Sequence, residues 1–363
     1  MVQFRTGRVE EVLSSRRGLQ RVVVDGEPAY ALTEIVGELT VGDPVVVNTT
    51  AVSLGLGTGG HHVVHWNLNR TELAIPGPGH LMKARYLSEQ IDTGAWDEYS
   101  APGPDDPPPE VPDLGGIPVA VCSLHSHVGV VAAAVRSRLG SARVGYVMTD
   151  AASLPLAMSN LVAELRDRGL LDLSVSTGQA FGGDLEALTP ASGVEACVDR
   201  GMDAVIMAMG PGHAGTGAAL GFTGLEVVGL VDLLNGLGAR ATPVVRWSDT
   251  DPRRRHQGLS HHSRTILTLL ARPFEVPVPP TDRGRELARE LTGIETRGRA
   301  VEVAMADPVG VLEDHGVTIR SMGRPLANDR GAIETLAAVG TWVGDRLEVA
   351  TGRVGGSGSL GQQ

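Results

Sequence analysis

The second half of the chain alternates short apolar runs with longer amphipathic stretches. Apolar strands that alternate with helices are typical of a parallel sheet that is buried on both faces. The pattern predicts an α/β fold, with a mainly parallel sheet and helices on both faces. The predicted strands are 117–124, 144–148, 171–176, 204–209 and 242–247, and the predicted helices are 128–138, 154–168, 184–200, 216–237 and 260–270.

The pattern divides the chain into segments. Short β-branched runs, separated by glycine-containing turns, predict a small β-rich, barrel-like domain over 1–72. A connector with a proline-rich loop follows at 73–116, and the α/β domain occupies 117–272. The alternation resumes at 281–345, which would extend the same sheet or form a small lobe. The glycine- and serine-rich tail at 352–363 is expected to be disordered.

Composition narrows the class of partner. The 363 residues carry a formal charge of −11, which argues against nucleic acid and anionic membrane surfaces as partners. No run reaches the roughly 18 apolar residues of a membrane span, and the first residues lack a signal-peptide core. Cys122 and Cys197 each lie in an apolar run, so we expect reduced thiols and a cytoplasmic protein. The sequence leaves open whether copies form a homo-oligomer.

Lys83 is the only lysine among the 31 basic residues. Arginine cannot replace lysine where a compact amine that can lose its proton is required. We therefore consider Lys83 a candidate catalytic amine that closes over the site from the amino-terminal side. The alternative is a surface charge left over by chance.

Polar residues follow each predicted strand of the parallel sheet. Ligands of such sheets bind beyond the carboxyl ends of the strands, so these residues predict a cleft there. Asp150 and His125 are the candidates for acid/base catalysis. The ligand- or anion-binding candidates are Thr177, Gly183, Asp184, Gly210, Gly212, His213, Gly215 and Thr216.

The loop from Gly210 to Gly215 has the G-x-G-x-x-G spacing of a nicotinamide- or flavin-binding protein. It follows the fourth strand instead of the first, contains Pro211, and lacks the acidic residue expected about 20 residues later. The dinucleotide therefore stays an alternative. The simpler prediction is a glycine-rich helix N-terminus that binds an anion.

A cationic patch and a histidine-rich strand end are further candidates. The sequence places Arg253, Arg254, Arg255 and His256 just before His261 and His262. Together they would clamp a phosphate or carboxylate or form a solvated loop. A metal ion, if present, would be held by His125, His127, Asp150 and Asp184. No standard metal motif occurs, so the cofactor is left unknown.

Several blocks of the sequence resemble a bacterial family, domain of unknown function 3866. The blocks are NTTAVSLGLGTGG at 48–60, GHLMKARY at 79–86, LHS at 124–126, YVMTD at 146–150, TGQ at 177–179, AFGGD at 180–184, GFTG at 221–224, SHH at 260–262 and MGR at 322–324. The resemblance spans nearly the whole chain and implies a full-length bacterial protein. Because the family is uncharacterised, it implies no catalytic residue.

These observations favour an enzyme that acts on an anionic small molecule at a strand-end cleft, by group transfer or hydrolysis. A non-catalytic sensor built on the same cleft is the second hypothesis. A structural or partner-binding protein is a third, but it would leave the clustered titratable strand ends without an explanation.

Overall fold

The computed structural model describes residues 2–56, 59–79, 81–103, 105–321 and 324–354. Parts of the family-like blocks, at 57–58, 80 and 322–323, lie outside these ranges. The tail that we expect to be disordered also lies outside them, except for 352–354, which belong to the last helix.

The amino-terminal strands form a closed barrel. They are β1 (Phe4–Arg16), β2 (Leu19–Val24), β3 (Glu27–Ala31), β4 (Pro44–Asn48) and β5 (His62–Asn67), in the order β1-β2-β3-β5-β4, with helices α1 (Thr33–Val36) and α2 (Thr50–Ser53) between them. Val45 and Val47 of β4 are buried, whereas the residues on either side are partly exposed. This alternation places every second side chain in the barrel interior. The predicted barrel-like start is confirmed.

A connecting segment joins the barrel to the larger sheet. It contains β6 (Met82–Lys83), β7 (Ile91–Asp92) and α3 (Trp96–Ser100). Ala84 and Tyr86 have positive φ angles of 50° and 65°, a conformation that non-glycine residues rarely adopt. The segment is held by its contacts with the sheet edge, described below.

The central sheet has six strands, all parallel. They are β8 (Pro118–Cys122), β9 (Val144–Thr149), β10 (Leu173–Ser176), β11 (Leu185–Glu186), β12 (Ala204–Met209) and β13 (Arg240–Val244), in the order β11-β10-β9-β12-β8-β13. The predicted parallel sheet is confirmed. The predicted helix start at 184 is wrong because β11 lies there. The helix begins instead at Pro190, where the Thr189 hydroxyl caps it.

The side chains of the sheet enter two separate buried clusters. Five helices accompany the sheet strands: α4 (His127–Arg138), α5 (Asn160–Asp167), α6 (Pro190–Asp199), α7 (Val227–Gly236) and α8 (His261–Leu269). Tyr146 and Ile206 belong to a cluster that contains residues of α4 and α5. Their neighbours Val147 and Met207 belong to the other, with residues of α6, α7 and α8.

No described strand after β13 joins the central sheet. Apart from α8, the described α-helices and strands after β13 are β14 (Trp247–Ser248), β15 (Gly258–Leu259), β16 (Phe274–Val278), α9 (Asp282–Thr292), β17 (Gly298–Glu302), α10 (Pro308–Asp314), β18 (Arg320–Ser321), β19 (Arg324–Pro325) and α11 (Arg330–Val354). Among the described strands, β16 pairs only with β17. Helix α11 packs on α4 through Gly340, where a methyl group would lie 2.5 Å from Ala134 Cβ. Neither α11 nor any other described helix is long and apolar enough to cross a membrane.

Candidate functional site

A cavity of about 480 Å³ opens at the carboxyl ends of β8, β12 and β13. Within the described ranges, four arginines and four histidines line it and no Asp or Glu does. Arginine stays charged at any physiological pH, so the cavity favours an anion that can accept several hydrogen bonds. We call it the arginine–histidine cavity, and its charged or titratable residues are Arg246, Arg253, Arg255, Arg320, His125, His213, His256 and His262.

Two imidazoles meet in this cavity beside Gly215. A methyl group at Gly215 would lie 3.2 Å from His213 Nε2 and 3.6 Å from His262 Nε2. Both Nε2 atoms are buried and have no hydrogen-bond partner among the described residues. The rings are held in other ways: His213 Nδ1 is 3.1 Å from Thr223 Oγ1, and His262 stacks on Phe222 with the ring centroids 4.0 Å apart. Neither Nε2 atom is therefore committed to a hydrogen bond with another described residue.

The environment of the cavity keeps its imidazoles neutral. Burial, followed by the charge of Arg246, lowers the pKa of His213. Burial and then the neighbouring histidines lower the pKa of His262 to about 4. Burial and then the nearby arginines lower the pKa of His256 to about 3. A neutral imidazole has a lone pair that can accept a proton or attack an electrophile.

Asp251 lies behind the arginines and orients two of them. Arg246 Nη2 donates to Asp251 Oδ2 at 2.6 Å, and Arg253 donates to both carboxylate oxygens, at 3.1 Å and 3.0 Å. Burial opposes ionisation, but hydrogen bonds from Arg253 and the charge of Arg246 hold the pKa of Asp251 well below its usual range. Arg324 Nη2 also lies 3.6 Å from Asp251 Oδ2, so one carboxylate faces three guanidinium groups and a positive excess remains.

The two predicted acid/base residues occupy different places. His125 lines the cavity, but its Nδ1 is 3.0 Å from the carbonyl oxygen of Met209 and its Nε2 is 2.7 Å from Ser159 Oγ. Burial lowers the pKa of His125 to about 4. Asp150 is exposed, is not in the lining, and accepts the backbone N–H of Gln179 at 2.9 Å. Neither residue has the unpartnered atom that His213 and His262 provide.

Lys83 is not brought to the arginine–histidine cavity. It is buried, and its Nζ donates to the carbonyl oxygens of Ser176 and Ala180 at 2.9 Å and 2.6 Å and to Glu186 Oε2 at 2.7 Å. Three acceptors use all three protons of the ammonium group. Burial lowers the pKa of Lys83, and the charge of Glu186 opposes this. The geometry is that of an anchor between β6 and the edge of the sheet.

Three of the predicted anion-binding residues lie away from the arginine–histidine cavity and contact other residues near β10 and β11. Thr177 donates its hydroxyl to the Met148 carbonyl at 3.0 Å. Gly183 and Asp184 line a separate cavity of about 650 Å³ between the barrel, the connecting segment and β11. Asp184 lies at the amino end of β11, where it accepts the N–H and hydroxyl of Ser174. Because β11 is the edge strand farthest from β8 and β13, Asp184 cannot reach the arginine–histidine cavity.

The predicted metal set is not assembled. Asp184 is in the other cavity, Asp150 is outside both, and His125 is hydrogen-bonded through both ring nitrogens. His127 lines a third, adjoining cavity. In the described part of the chain, no group of three or more His, Cys, Asp or Glu side chains could hold a metal ion.

The glycine-rich loop forms part of the cavity but does not begin a helix. Gly212, His213, Gly215 and Thr216 line the cavity, whereas Gly210 approaches Ser153, whose carbonyl oxygen a methyl group would contact at 2.6 Å. The predicted helix start at 216 is wrong, because the Thr216 N–H and hydroxyl both donate to the Gly221 carbonyl and α7 starts only at residue 227. The loop therefore lacks the adjacent helix N-terminus on which a dinucleotide fingerprint depends.

The predicted cationic patch lines the cavity only in part. Arg253 and Arg255 line the cavity and Arg254 does not. His261 is also outside the lining, although its ring lies 4.1 Å from that of His262. Sequence reasoning missed Arg246 and Arg320. The sequence could have indicated Arg246, because this residue follows β13, but the pattern predicts a strand that runs to 247. No local feature of the sequence indicates that Arg320 belongs to the site.

We expect sulfate to bind more tightly to the cavity as the pH falls from about 7 to 5. Sulfate stays a dianion over this range, and beside His213 and His262 it would favour the protonated imidazoles. In the free protein the pKa of His262 is lowered to about 4, and bound sulfate would return it towards its ordinary value near 6.5. Below about pH 6.5, sulfate binding is therefore accompanied by the uptake of a proton. Titration calorimetry should show roughly tenfold tighter binding at pH 5 for one restored imidazole. In a double variant, His213→Asn with His262→Asn, the sulfate affinity should no longer depend on pH. Equal sulfate affinities of the wild type at pH 7 and pH 5 would contradict the prediction.

The fold and the cavity together define an α/β protein with an amino-terminal barrel and a cavity at the strand ends that is lined by arginine and histidine. A family model described as a protein of unknown function (DUF3866) matches residues 28–340, and the chain belongs to this family. A search of curated proteins gave no match. A search of solved structures gave none either.

Proposed function

We propose that this protein is an enzyme that transfers or hydrolyses a group of an anionic small molecule bound in the arginine–histidine cavity. One observation carries the proposal. The Nε2 atoms of His213 and His262, neutral and unpartnered, converge on Gly215 in a cavity lined by four arginines and, among the described residues, by no carboxylate.

Each part of the cavity has a role in this proposal. The arginines hold the anion and stabilise the charge that develops on it in the transition state. His213 accepts a proton from the attacking group, and its hydrogen bond with Thr223 holds the ring in one orientation. His262 is the second imidazole: it takes up a proton from solvent when the anion binds beside it and gives that proton to the leaving group. The lowered pKa of His213 supports its role as the base, because its ring is neutral before the ligand binds. The lowered pKa of His262 means that its proton is taken up only in the complex.

The test separates binding from turnover. Inorganic phosphate is used as the binding probe, by calorimetry, and p-nitrophenyl phosphate with a panel of phosphate and carboxylate esters as the turnover probes. His213→Asn should keep the phosphate affinity within a few-fold and lower turnover by roughly 10²-fold or more, since only the proton-transfer group is lost. His315→Asn, at a position outside the cavity, is the matched control and should change neither quantity.

Two results would overturn the proposal in different ways. If the wild type binds phosphate but turns over none of the esters, the protein is a non-catalytic binding protein or sensor. If the wild type does not bind phosphate, the cavity is not an anion site and both hypotheses fail.

Three finer inferences belong to the same proposal. The distribution of sheet residues between two buried clusters with different helices supports a sheet covered on both faces, as in Rossmann-like proteins. The glycines of the 210–217 loop support close approach of an anion to the backbone. The free, buried thiols of Cys122 and Cys197 support a cytoplasmic location.

A further inference from the structure

A second cavity, of about 240 Å³, adjoins the arginine–histidine cavity. Leu124 and Arg246 line both, so the two spaces share a wall. We call the smaller space the side cavity. The arginine–histidine cavity alone already falls within the range of roughly 300–1,000 Å³ that is typical of small-molecule sites, and the two cavities together also stay within it.

The charges around the side cavity are balanced. Asp251 and Asp329 line it, and so do Arg246 and Arg324. Two carboxylates disfavour a second anionic group of the ligand, and two guanidinium groups disfavour a cationic one. The part of a ligand that enters here is therefore neutral.

The side cavity also offers hydrogen bonds of both kinds. His127 lines it with only 5% of the residue exposed, and its Nδ1 has no partner among the residues that the structure describes. The charge of Arg246, which lines both cavities, acts on this ring, so the ring lies close to the wall that the cavities share. Thr250 and Asn328 are exposed lining residues that add a hydroxyl and an amide. A hydroxyl group both donates and accepts hydrogen bonds, so it matches this mixed set.

Resting on the proposed function, we propose that the substrate is a phosphate monoester of a hydroxyl-rich body such as a polyol or sugar. Its phosphate lies in the arginine–histidine cavity and its hydroxyl groups lie in the side cavity, against His127 and Asp329. Arg246 stands between the two and contacts both parts. The apolar walls formed by Trp247, Leu326 and Leu336 pack against the carbon skeleton.

The test compares three probes by calorimetry with the full chain: inorganic phosphate, glycerol 3-phosphate and ribose 5-phosphate. At least one of the two esters should bind the wild type tenfold or more tightly than phosphate. His127→Leu, similar in size and without hydrogen-bonding atoms, should remove this advantage and leave the phosphate affinity unchanged. Thr250→Val, at an exposed position, should reduce the advantage without a risk to folding. His315→Leu is the matched control and should preserve it.

The outcomes distinguish this inference from the proposed function. If phosphate binds and neither ester binds more tightly, the side cavity is not a subsite, while the anion site stands. If the ester advantage survives in both His127→Leu and Thr250→Val, the hydroxyl groups bind elsewhere and the inference fails. If phosphate does not bind the wild type, the proposed function fails first and this inference with it.

Discussion

Replacing Lys83 with methionine should destabilise the protein by about 3–5 kcal/mol, because it breaks a buried ion pair. The Lys83 ammonium has three acceptors, and its partner Glu186 is itself largely buried. Burial raises the pKa of the Glu186 carboxyl, and the charge of Lys83 opposes this effect. Without Lys83, the carboxylate must take up a proton or remain buried without a countercharge. Equilibrium unfolding in urea measures the loss.

Two further variants show whether the broken ion pair causes the loss of stability in Lys83→Met. Arg85→Met removes an exposed cation two residues away and should change the free energy of unfolding by no more than about 0.5 kcal/mol. The double variant Lys83→Met with Glu186→Gln removes both charges and should recover part of the loss. A near-normal stability for Lys83→Met, combined with lost phosphate binding, would instead favour the hypothesis of a functional amine.

Replacing Arg246 with methionine should weaken the binding of inorganic phosphate by roughly 10- to 100-fold, the cost of one charge-assisted hydrogen bond. Arg246 lines both cavities. A guanidinium group has five N–H donors, so it can contact Asp251 and an anion together. Calorimetry with phosphate measures the change.

Arg254→Met is the matched control for Arg246→Met, because it removes the same charge from an exposed residue eight positions along the chain, outside the cavity lining. Its phosphate affinity should stay within about two-fold of the wild type, since exposed charges are screened by salt. Equal weakening in both variants would mean that the overall positive field, not a contact in the cavity, binds the anion. Because Asp251 keeps Arg253 as a partner, we expect Arg246→Met to fold.

The local sequence pattern was enough to predict the α/β class and many residues of the candidate site. Strands β9 and β12 were predicted to within a residue because their six residues are buried throughout, which gives an uninterrupted apolar run. His213 and Gly215 were found because the carboxyl ends of parallel strands meet at one edge, whatever the order of the strands. His262 was found because it belongs to a dense cationic patch in the sequence. The two-residue strand β11 was missed, because so short an element has no periodicity to detect.

The roles of individual side chains depended on the tertiary structure. Lys83 looked like a free amine in the sequence, yet its three acceptors lie 93 to 103 residues further along the chain. Asp184 looked like a cleft residue, but it lies beside Ser174 at the start of the outer strand β11, at the side of the sheet farthest from β13. Arg246 and Arg320 reach the cavity from strand ends far apart in sequence. Apolar periodicity is a local property that a sequence shows directly, whereas pairing between distant residues arises only when the chain folds.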